Sequence, residues 1–269
     1  MPELPEVETT LRGLSPHVEN RRLLRLYIRQ PRLRWPVPAS LAQLHDVPVL
    51  RLQRRAKYLL LTVPSGDIVI HLGMSGTLRV VPDTTPLRTH DHVDLCLDNG
   101  QVIRFNDPRR FGCVLFQPNG ELLSQLAGMG PEPLTDAFSG DWLYQRSRGR
   151  SVAVKNFIMT NAVVVGVGNI YAQESLFLAG VHPSRAAGNI SRQRYQRLAQ
   201  TIKTVLGSAI EAGGTTLRDF SNASGKPGYF AQQLHVYGRA GQPCLSCGAT
   251  LKATRHGQRS TSYCSRCQR

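Results

Sequence analysis

Residues 1–8 of the chain read MPELPEVE, and this stretch organises the fold that we predict for the rest. Apolar side chains recur from there at helical spacing, at Leu4, Val7, Leu11 and Leu14. Such spacing places side chains on one face of a helix. Pro5 suits the first helical turn, and the glutamates complement the positive end of the helix dipole. The stretch therefore predicts a leading helix with one apolar face.

The same stretch also places reactive groups at the N-terminus. Removal of Met1 would leave Pro2 with a free secondary amine and the Glu3 carboxylate beside it. An α-amino group titrates near pH ~8, against ~10.4 for a lysine side chain, so more of it is neutral at neutral pH. A neutral amine beside an acid is a reasonable pair of nucleophile and proton donor. Helix capping explains the same residues, and these residues alone leave both interpretations open.

The chain is strongly basic. It has 33 Lys+Arg against 18 Asp+Glu, a formal net charge of +15 and a pI near 10.2. Basic side chains on nucleic acid release condensed counterions, so this excess favours a polyanionic partner. A basic surface that serves only solubility is the alternative. The charge is uneven, however, because residues 176–269 contain 13 Lys+Arg and only two acids, Glu211 and Asp219.

Membrane and secretion signals are not recognisable in the sequence. No run approaches the ~20 apolar residues that a membrane span needs. The N-terminus is acidic and has no hydrophobic signal core, so we expect no secretion. Cys96 and Cys113 lie in strand-like runs, where we expect reduced core residues. This cysteine usage fits a reducing cytosol, and we expect a cytoplasmic protein with no membrane partner.

Strand patterns dominate the chain up to about residue 116. Leu24, Leu26 and Ile28 alternate with more polar neighbours, the period of a half-buried strand. Further short apolar or alternating runs follow at 58–63, 68–72, 93–97 and 102–105. Asn99-Gly100 between the last two is a strong hairpin signal. The spacing of these strands predicts a β-sandwich or barrel-like first domain.

Helical patterns follow a connection at about 118–140 that is rich in Gly, Pro and acidic residues. One predicted helix covers 169–179. Ser191 caps a longer one, which Gly213-Gly214 stops. The apolar face of the longer helix consists of Tyr195, Leu198, Ile202, Val205, Leu206, Ala209 and Ile210. The segment between the helices is long enough for two turns, so we predict a helix–two-turn–helix arrangement.

Four cysteines form the pattern C-x2-C-x16-C-x2-C, at Cys244, Cys247, Cys264 and Cys267. This spacing is typical of four-thiolate zinc sites, because each x2 pair supplies the tight turn that brings two sulfurs to the metal. Four sulfurs close the coordination shell, so the zinc would be structural. Two disulfides are the alternative, which a chain without a secretory signal disfavours. Residues 255–260 between the pairs predict a hairpin tip, where Arg259 alone would ordinarily be solvated.

Two loops that follow strands, HLGMSG at 71–76 and DPRRFG at 107–112, expose a methionine, an arginine and a phenylalanine. Apolar wedges together with arginine are how proteins hold open an unstacked base step. Taken singly, Met74 and Phe111 are more often core residues, so the loops alone leave both interpretations open. Lys57 is likewise either a strand-edge charge or a phosphate contact.

Taken together, these motifs resemble the bacterial formamidopyrimidine-DNA glycosylases over essentially the whole chain. The motifs occur in that family's order, PELPEVE, RRAKY, HLGMSG, DPRRFG, VVGVGNIYA, GGTTLRDF, GKPGYF, HVYGR and the four-cysteine finger. The resemblance implies an α+β multidomain fold with DNA bound across a cleft. It divides the chain into a helix plus β-sandwich at 1–130, a helix–two-turn–helix domain at 131–237 with a linker at 131–150, and a zinc-finger hairpin at 238–269. It also implies one structural Zn²⁺, damaged double-stranded DNA as the partner, and a monomer.

The resemblance assigns catalytic roles to four residues. Pro2 looks like the nucleophile that attacks C1′ of the damaged nucleotide and forms a Schiff base. Glu3 looks like the proton donor that helps to open the sugar. Lys57 is similar to the family's proton donor for β-elimination, and Arg259 to its phosphate-gripping residue for δ-elimination.

The resemblance also assigns contacts with DNA. Met74, Arg109 and Phe111, here called the wedge residues, look like the trio that fills the gap left by the flipped base. Further DNA-contacting positions of the family match His90, Arg150, Lys155 and Asn169. The segment 215–229 looks like the loop that closes over the extruded 8-oxoguanine. The chain departs from the family at Thr160, where an Asp is common, and this puts any salt bridge there in doubt.

The activity implied is that of a bifunctional DNA glycosylase and lyase of base-excision repair. It would remove 8-oxoguanine and formamidopyrimidines from duplex DNA and then cleave the strand by β,δ-elimination. One alternative is an enzyme of the related endonuclease VIII type, which prefers oxidised pyrimidines. PELPEVE, HLGMSG, DPRRFG and the TTLRDF loop favour the purine-directed branch. A zinc-finger protein that binds damaged DNA without catalysis is the alternative from another class.

Overall fold

The computed structural model describes residues 2–215 and 234–269 of the chain. The described residues form two compact units, one from 2–127 with 212–215 and one from 128–211 with 234–269. The first unit is rich in strands and the second is mostly helical. Within the described part of the chain, no helix combines the length and the apolar character needed to cross a membrane.

The first unit starts with helix α1 (Leu4–Val18). The strands of this unit are β1 (Arg22–Ile28), β2 (Val47–Pro48), β3 (Arg51–Arg55), β4 (Tyr58–Val63), β5 (Gly66–His71), β6 (Thr77–Pro82), β7 (Asp91–Leu97), β8 (Gln101–Asn106) and β9 (Cys113–Pro118). Leu4, Val7 and Leu14 of α1 are buried, and Leu11 is half-buried. The leading helix and its apolar face are thus confirmed.

The strands form two antiparallel sheets, with the orders β2-β1-β7-β8-β6 and β3-β4-β5-β9. Apolar side chains from both sheets and from α1 join one core. Its members include Val7 of the helix, Leu61 and Ile70 of the four-stranded sheet, and Leu95 and Phe105 of the five-stranded sheet. Two sheets that share a core in this way form a sandwich. The predicted β-sandwich with a leading helix is confirmed.

The predicted alternation of β1 is wrong at Leu24. The register of β1 against β7 shifts between Leu23 and Arg25, the mark of a β-bulge. An extra residue in one strand breaks the alternation of its two faces. Leu23 is therefore fully buried, whereas Leu24 is 36% exposed. The hairpin between β7 and β8 turns at Asn99-Gly100 as predicted, with a φ of +75° at the glycine.

A buried ion pair connects the five-stranded sheet to the loop that leads to His90. Arg104 of β8 is 2% exposed, and its Nε and Nη2 donate to the two carboxylate oxygens of Asp94, each at 3.0 Å. Burial raises the pKa of Asp94, but hydrogen bonds from Arg29 and Arg104 outweigh burial and hold that pKa below its usual value. Arg104 also donates to the Thr85 carbonyl at 2.9 Å. The pair therefore anchors this loop to the sheet.

The second unit consists of helices and one hairpin. Its elements are α2 (Gly140–Ser147), α3 (Val154–Ile158), α4 (Asn169–Ala179), α5 (Arg192–Glu211), β10 (Lys252–His256) and β11 (Arg259–Tyr263). Helix α4 ends at Gly180, whose φ is +69°. Ser191 Oγ accepts the Arg194 N–H at the start of α5, and all seven apolar residues predicted for one face of α5 are buried. The helix–two-turn–helix arrangement is confirmed.

The segment 131–150, predicted as a linker, contains α2. Ser139 is the N-cap of this helix, and its Oγ accepts the Trp142 N–H at 3.1 Å. The Gly- and Pro-rich composition before α2 led to the linker prediction, which missed this short capped helix. The boundaries at residues 130 and 237 stay a prediction.

Candidate active site and zinc centre

The N-terminal end of α1 is buried and hydrogen-bonded. Pro2 is buried, and Glu3, the N-cap residue, is 2% exposed. Glu3 forms a capping box with Glu6, whose Oε2 accepts the Glu3 N–H at 2.8 Å. Glu6 Oε1 accepts the Thr215 N–H at 2.9 Å, so one buried carboxylate joins the helix start to Thr215. The capping interpretation is confirmed, and it places Pro2 at the positive end of a helix dipole.

The segment 215–229, predicted to close over the extruded base, lies outside the described residues except for Thr215.

Lys57 lies in the two-residue turn between β3 and β4, directly after Ala56, whose φ is +55°. Burial, with added repulsion from Lys57 and Arg34, lowers the pKa of His71 to about 4. His71 is therefore neutral at neutral pH, and its Nδ1 can accept the Gly73 N–H at 2.9 Å. The Lys57 charge thus acts on the residue that begins the HLGMSG loop.

The wedge residues are presented at the surface of the first unit. Met74 is 38% exposed and Phe111 is 44% exposed. The guanidinium carbon of Arg109 lies 4.9 Å from the centroid of the Phe111 ring, a cation–π contact. The interpretation of Met74 and Phe111 as core residues is therefore wrong. Exposed apolar side chains beside a cation are available for contact with a partner.

The backbones of the HLGMSG and DPRRFG loops touch at two glycines. Gly73 has a φ of +65°, and a Cβ at this position would lie 2.3 Å from the Gly112 nitrogen and 2.4 Å from the Phe111 carbonyl carbon. A Cβ at Gly112 would lie 2.5 Å from the His71 carbonyl oxygen. Only glycine permits backbones to approach this closely. The glycines of both motifs therefore set the closest approach of Met74 and Phe111.

His90 lies at the end of the loop anchored by Arg104, and its side chain is exposed. Its φ of +72° is uncommon for a residue with a Cβ. Its carbonyl accepts the Asp107 N–H at 3.1 Å, and its ring meets the edge of His92 at 6.1 Å. These contacts hold His90 beside the DPRRFG loop.

Lys155 and Asn169 of the second unit converge on the finger hairpin. Lys155 is fully buried, and its Nζ donates to Thr261 Oγ1 at 2.6 Å and to the Ser260 carbonyl at 3.3 Å. Asn169 Nδ2 donates to the same carbonyl at 3.3 Å. Arg259, which precedes Ser260, is exposed. The Lys155 ammonium is therefore directed at the hairpin that carries Arg259.

Arg150 and Thr160 lie at exposed positions of the second unit. Arg150 follows α2, and its N–H donates to the Ser147 carbonyl at 3.0 Å. Thr160 follows α3, and its hydroxyl donates to the Asn156 carbonyl at 3.0 Å. The Thr160 hydroxyl thus satisfies a carbonyl near the end of α3.

The four cysteines of the finger come together as the spacing predicted. Their Sγ atoms all lie within 4.8 Å of one another, with 3.9 Å between Cys244 and Cys267 and 3.5 Å between Cys247 and Cys264. Zn–S bonds of about 2.3 Å at tetrahedral angles separate the sulfurs by about 3.8 Å. All four cysteines are free thiols, so the alternative of two disulfides is wrong. The donor set fits one structural Zn²⁺, which would hold the base of the β10–β11 hairpin.

Three family domains match successive parts of the chain. The formamidopyrimidine-DNA glycosylase N-terminal domain matches residues 1–114, and the H2TH domain of that glycosylase matches 129–221. The zinc finger found in FPG and IleRS matches 241–269. The chain belongs to the formamidopyrimidine-DNA glycosylase family. Members are DNA glycosylases with lyase activity at abasic sites, so the chain is a DNA-repair enzyme of this kind.

Relatives of this glycosylase extend over its full length. The formamidopyrimidine-DNA glycosylase of Alcanivorax borkumensis is 68% identical over 269 residues, which cover 100% of both chains. A Lactococcus lactis FPG mutant, solved in complex with Fapy-dG-containing DNA, is 28% identical with a TM-score of 0.92 and 99% coverage of both chains. The complex of Lactococcus lactis Fpg with DNA containing an abasic site is 29% identical, with a TM-score of 0.91 and 99% coverage of both chains.

One residue of the glycosylase that supports the hairpin was not predicted from the sequence. Gln173 of α4 is 2% exposed; its Oε1 accepts the Ser262 N–H at 2.6 Å and its Nε2 donates to the Ser260 carbonyl at 3.2 Å. The side chain thus bonds the β11 backbone on both sides of Thr261, as a neighbouring strand would. A run of polar residues in the middle of α4, Gln173 to Ser175, was the available signal, because buried polar groups require partners.

Asp107, the second unpredicted residue, is fully buried between the two motif loops. An acid directly after β8, at the start of the DPRRFG motif, was the signal in this case.

Gly73→Ala should lower the free energy of unfolding of the glycosylase by at least about 2 kcal/mol more than Gly100→Ala does. Both glycines have positive φ, +65° and +75°, so both variants carry the cost of a left-handed alanine. Nothing lies within 4 Å of a Cβ at Gly100, whereas a Cβ at Gly73 meets the backbone of the other loop. Urea unfolding of the two variants measures the difference. Equal losses would show that the loops separate without resistance.

Arg259→Ala should weaken binding to lesion-containing DNA by about tenfold, the value of one charge-assisted hydrogen bond, and leave one zinc per chain. The reason is that Arg259 is exposed at the hairpin, whereas the sulfurs lie at its base. Cys247→Ser is the matched variant, and it should lose zinc. Fluorescence anisotropy measures the binding and atomic absorption the zinc. Zinc loss in Arg259→Ala would contradict the separation of the two roles.

Proposed function

We propose that this glycosylase excises oxidised purines, 8-oxoguanine and formamidopyrimidines, from duplex DNA and then cleaves the strand by β,δ-elimination. The proposed mechanism is supported by the buried position of Pro2 and Glu3 at the N-terminal end of α1. The substrate is supported by relatives named formamidopyrimidine-DNA glycosylase and by the FPG complex with Fapy-dG-containing DNA.

In the proposed first step, the Pro2 amine attacks C1′ of the damaged nucleotide. The bond from C1′ to the base breaks, and the base leaves with the bonding electron pair and takes up the proton that the Pro2 nitrogen loses. Glu3 gives a proton to the ring oxygen of the sugar as the ring opens, and an iminium forms between Pro2 and C1′. The nearby helix N-terminus and the exclusion of water by bound DNA both favour the neutral, nucleophilic amine.

Strand cleavage follows from the same intermediate. The positive charge of the iminium makes the C2′ proton acidic, and loss of this proton expels the 3′ phosphate by β-elimination. Lys57 is the proposed proton donor for this step. Arg259 is proposed to bind the phosphate that leaves in the following δ-elimination, since a guanidinium matches the geometry of phosphate. The zinc would hold the Arg259 hairpin and take no part in the bond changes.

The DNA contacts follow from exposure and charge. A damaged base is extruded at a cost of a few kcal/mol, and the wedge residues fill the gap that it leaves. We propose that His90 and Arg150, which are exposed, and Asn169, which is half-exposed, contact the backbone. Lys155 is buried against the hairpin, so we propose that it acts on DNA indirectly through the hairpin. The segment 215–229 is proposed to close over the extruded base.

The proposed organisation has three domains, 1–130, 131–237 and 238–269, in one monomeric chain. The bacterial cytoplasmic location stays a prediction.

Borohydride should trap a covalent adduct between the demethionylated protein and DNA containing an abasic site. A chain with one extra residue before Pro2 should give no adduct, because it has no Pro2 amine, and Glu3→Gln should slow base excision by about 10²-fold. Mass spectrometry of the N-terminus and gel analysis of the adduct make the measurement. Equal nicking by the extended chain would rule out Pro2 as the nucleophile. No adduct from the intact protein would favour the non-catalytic damage binder.

Single-turnover excision should be at least about tenfold faster on an 8-oxoguanine·C duplex than on a thymine-glycol·A duplex, because polar groups placed to bond an oxidised purine would lose partners with a pyrimidine. The two duplexes share the same flanking sequence, and product is followed on denaturing gels. Faster excision of thymine glycol would instead favour the endonuclease VIII type of activity.

A further inference from the structure

Asp107 joins the two loops that carry the wedge residues. It is the first residue of the DPRRFG loop and is fully buried. Its Oδ1 accepts the hydroxyl of Ser75, in the HLGMSG loop, at 2.9 Å. Its Oδ2 accepts the Gly112 N–H at 2.8 Å. One carboxylate therefore bonds the middle of one loop and the far end of the other.

The backbone of Asp107 reaches the third loop. Its N–H donates to the His90 carbonyl at 3.1 Å, and its carbonyl lies 2.9 Å from His92 Nε2. Asp107 thus contacts each loop of the first unit in which a DNA-contacting residue is predicted. Because it is buried, its own side chain does not reach the DNA.

The glycine contact between the loops does not supply this connection. Van der Waals contact at Gly73 and Gly112 sets how closely the loops approach, but it offers little resistance to separation. Hydrogen bonds to a buried carboxylate resist separation, since breaking either one leaves a buried polar group without its partner. The glycines set the minimum distance, and Asp107 keeps the loops at that distance.

We propose that Asp107 is a positioning residue for base extrusion. It holds Met74 at a set distance from Arg109 and Phe111, so that the three side chains enter the DNA as one preformed wedge. This inference rests on the proposed function, in which the wedge fills the gap left by the extruded nucleotide. Without the carboxylate, the DNA would have to order both loops. The entropy cost of that ordering would weaken binding of the transition state.

The test compares two reactions of the same protein preparations. Excision from an 8-oxoguanine·C duplex requires extrusion of a base, whereas borohydride trapping on an abasic-site duplex does not, because that site has no base to extrude. A 2-aminopurine next to the lesion reports unstacking by the wedge. Thermal unfolding and zinc content are recorded for every variant.

Asp107→Ala should lower excision by at least about tenfold more than it lowers trapping, since each lost buried hydrogen bond is worth about a factor of ten. The 2-aminopurine signal should fall with excision. Asp67→Ala is the matched control, because Asp67 accepts the Thr62 hydroxyl at 2.6 Å and the Gln117 amide at 3.4 Å within the other sheet. Loss of the Asp67 carboxylate should change excision and trapping by the same factor.

A second pair of variants decides the question even if Asp107→Ala does not fold. The Asn carboxamide of Asp107→Asn can accept the Gly112 N–H and donate to Ser75 Oγ, which both donates and accepts. Asp107→Asn should therefore keep the wild-type ratio of excision to trapping. Combining it with Ser75→Ala should lower that ratio by about tenfold, because the amide then has no hydroxyl to bond.

Two outcomes would overturn the positioning role. One is an equal loss of excision and trapping in both the Asp107→Ala protein and the double variant. The other is an unchanged 2-aminopurine signal in a variant that has lost excision. Failure of the proposed function is distinguishable, because the wild-type protein would then form no trapped adduct on either duplex.

Discussion

The backbone contact between Gly73 and Gly112 is the constraint on which the surface of the first unit depends. It arises because β5 and β9 pair edge to edge, with His71 opposite Cys113, so the loop leaving one strand meets the loop entering the other. Side chains at either glycine would force the loops apart. With both absent, the loops of Met74 and Phe111 can approach although these residues are 37 positions apart in sequence, and Asp107 holds the loops together. The paired strands β5 and β9 thus place two exposed apolar side chains on neighbouring loops.

In the second unit, polar contacts hold the finger hairpin that presents Arg259. Lys155, Asn169 and Gln173, from α3 and α4, all donate to the Ser260 carbonyl of the finger hairpin. A zinc ion bound by the four cysteines would hold the base of the hairpin, and these donors hold the strand that begins at Arg259. The exposed guanidinium is therefore carried on an element fixed at two places, as an accurate site requires. Buried cations in both units have partners, as with Arg104 on Asp94 and Lys155 on Thr261. The exposed Arg259 guanidinium is available to a polyanion.

Helix capping and the proposed chemistry at the N-terminus share the Glu3 carboxyl group. The capping box at the start of α1 joins the Glu3 N–H to the Glu6 carboxylate and the Glu6 N–H to the Glu3 side chain. The proposed chemistry uses the Pro2 amine and the Glu3 carboxyl group. A well-capped helix lowers the cost of a neutral amine at its positive end, because the dipole there disfavours a second positive charge. The glutamates of PELPEVE thus have a structural use whatever the reaction, which is why the motif alone left both interpretations open.

The sequence by itself determined those features whose signal is local. Helical spacing placed α1, α4 and α5, Asn99-Gly100 placed a hairpin, and two C-x2-C pairs predicted the zinc site, because each depends on neighbours a few residues apart. Only the tertiary structure decided that Met74 and Phe111 are exposed, that Leu24 faces outward at a bulge, and that Lys155 is buried. These outcomes depend on contacts between distant parts of the chain, such as Lys155 with Thr261, 106 residues away. No periodicity encodes such contacts, because packing and hydrogen-bond satisfaction are settled only when the elements meet.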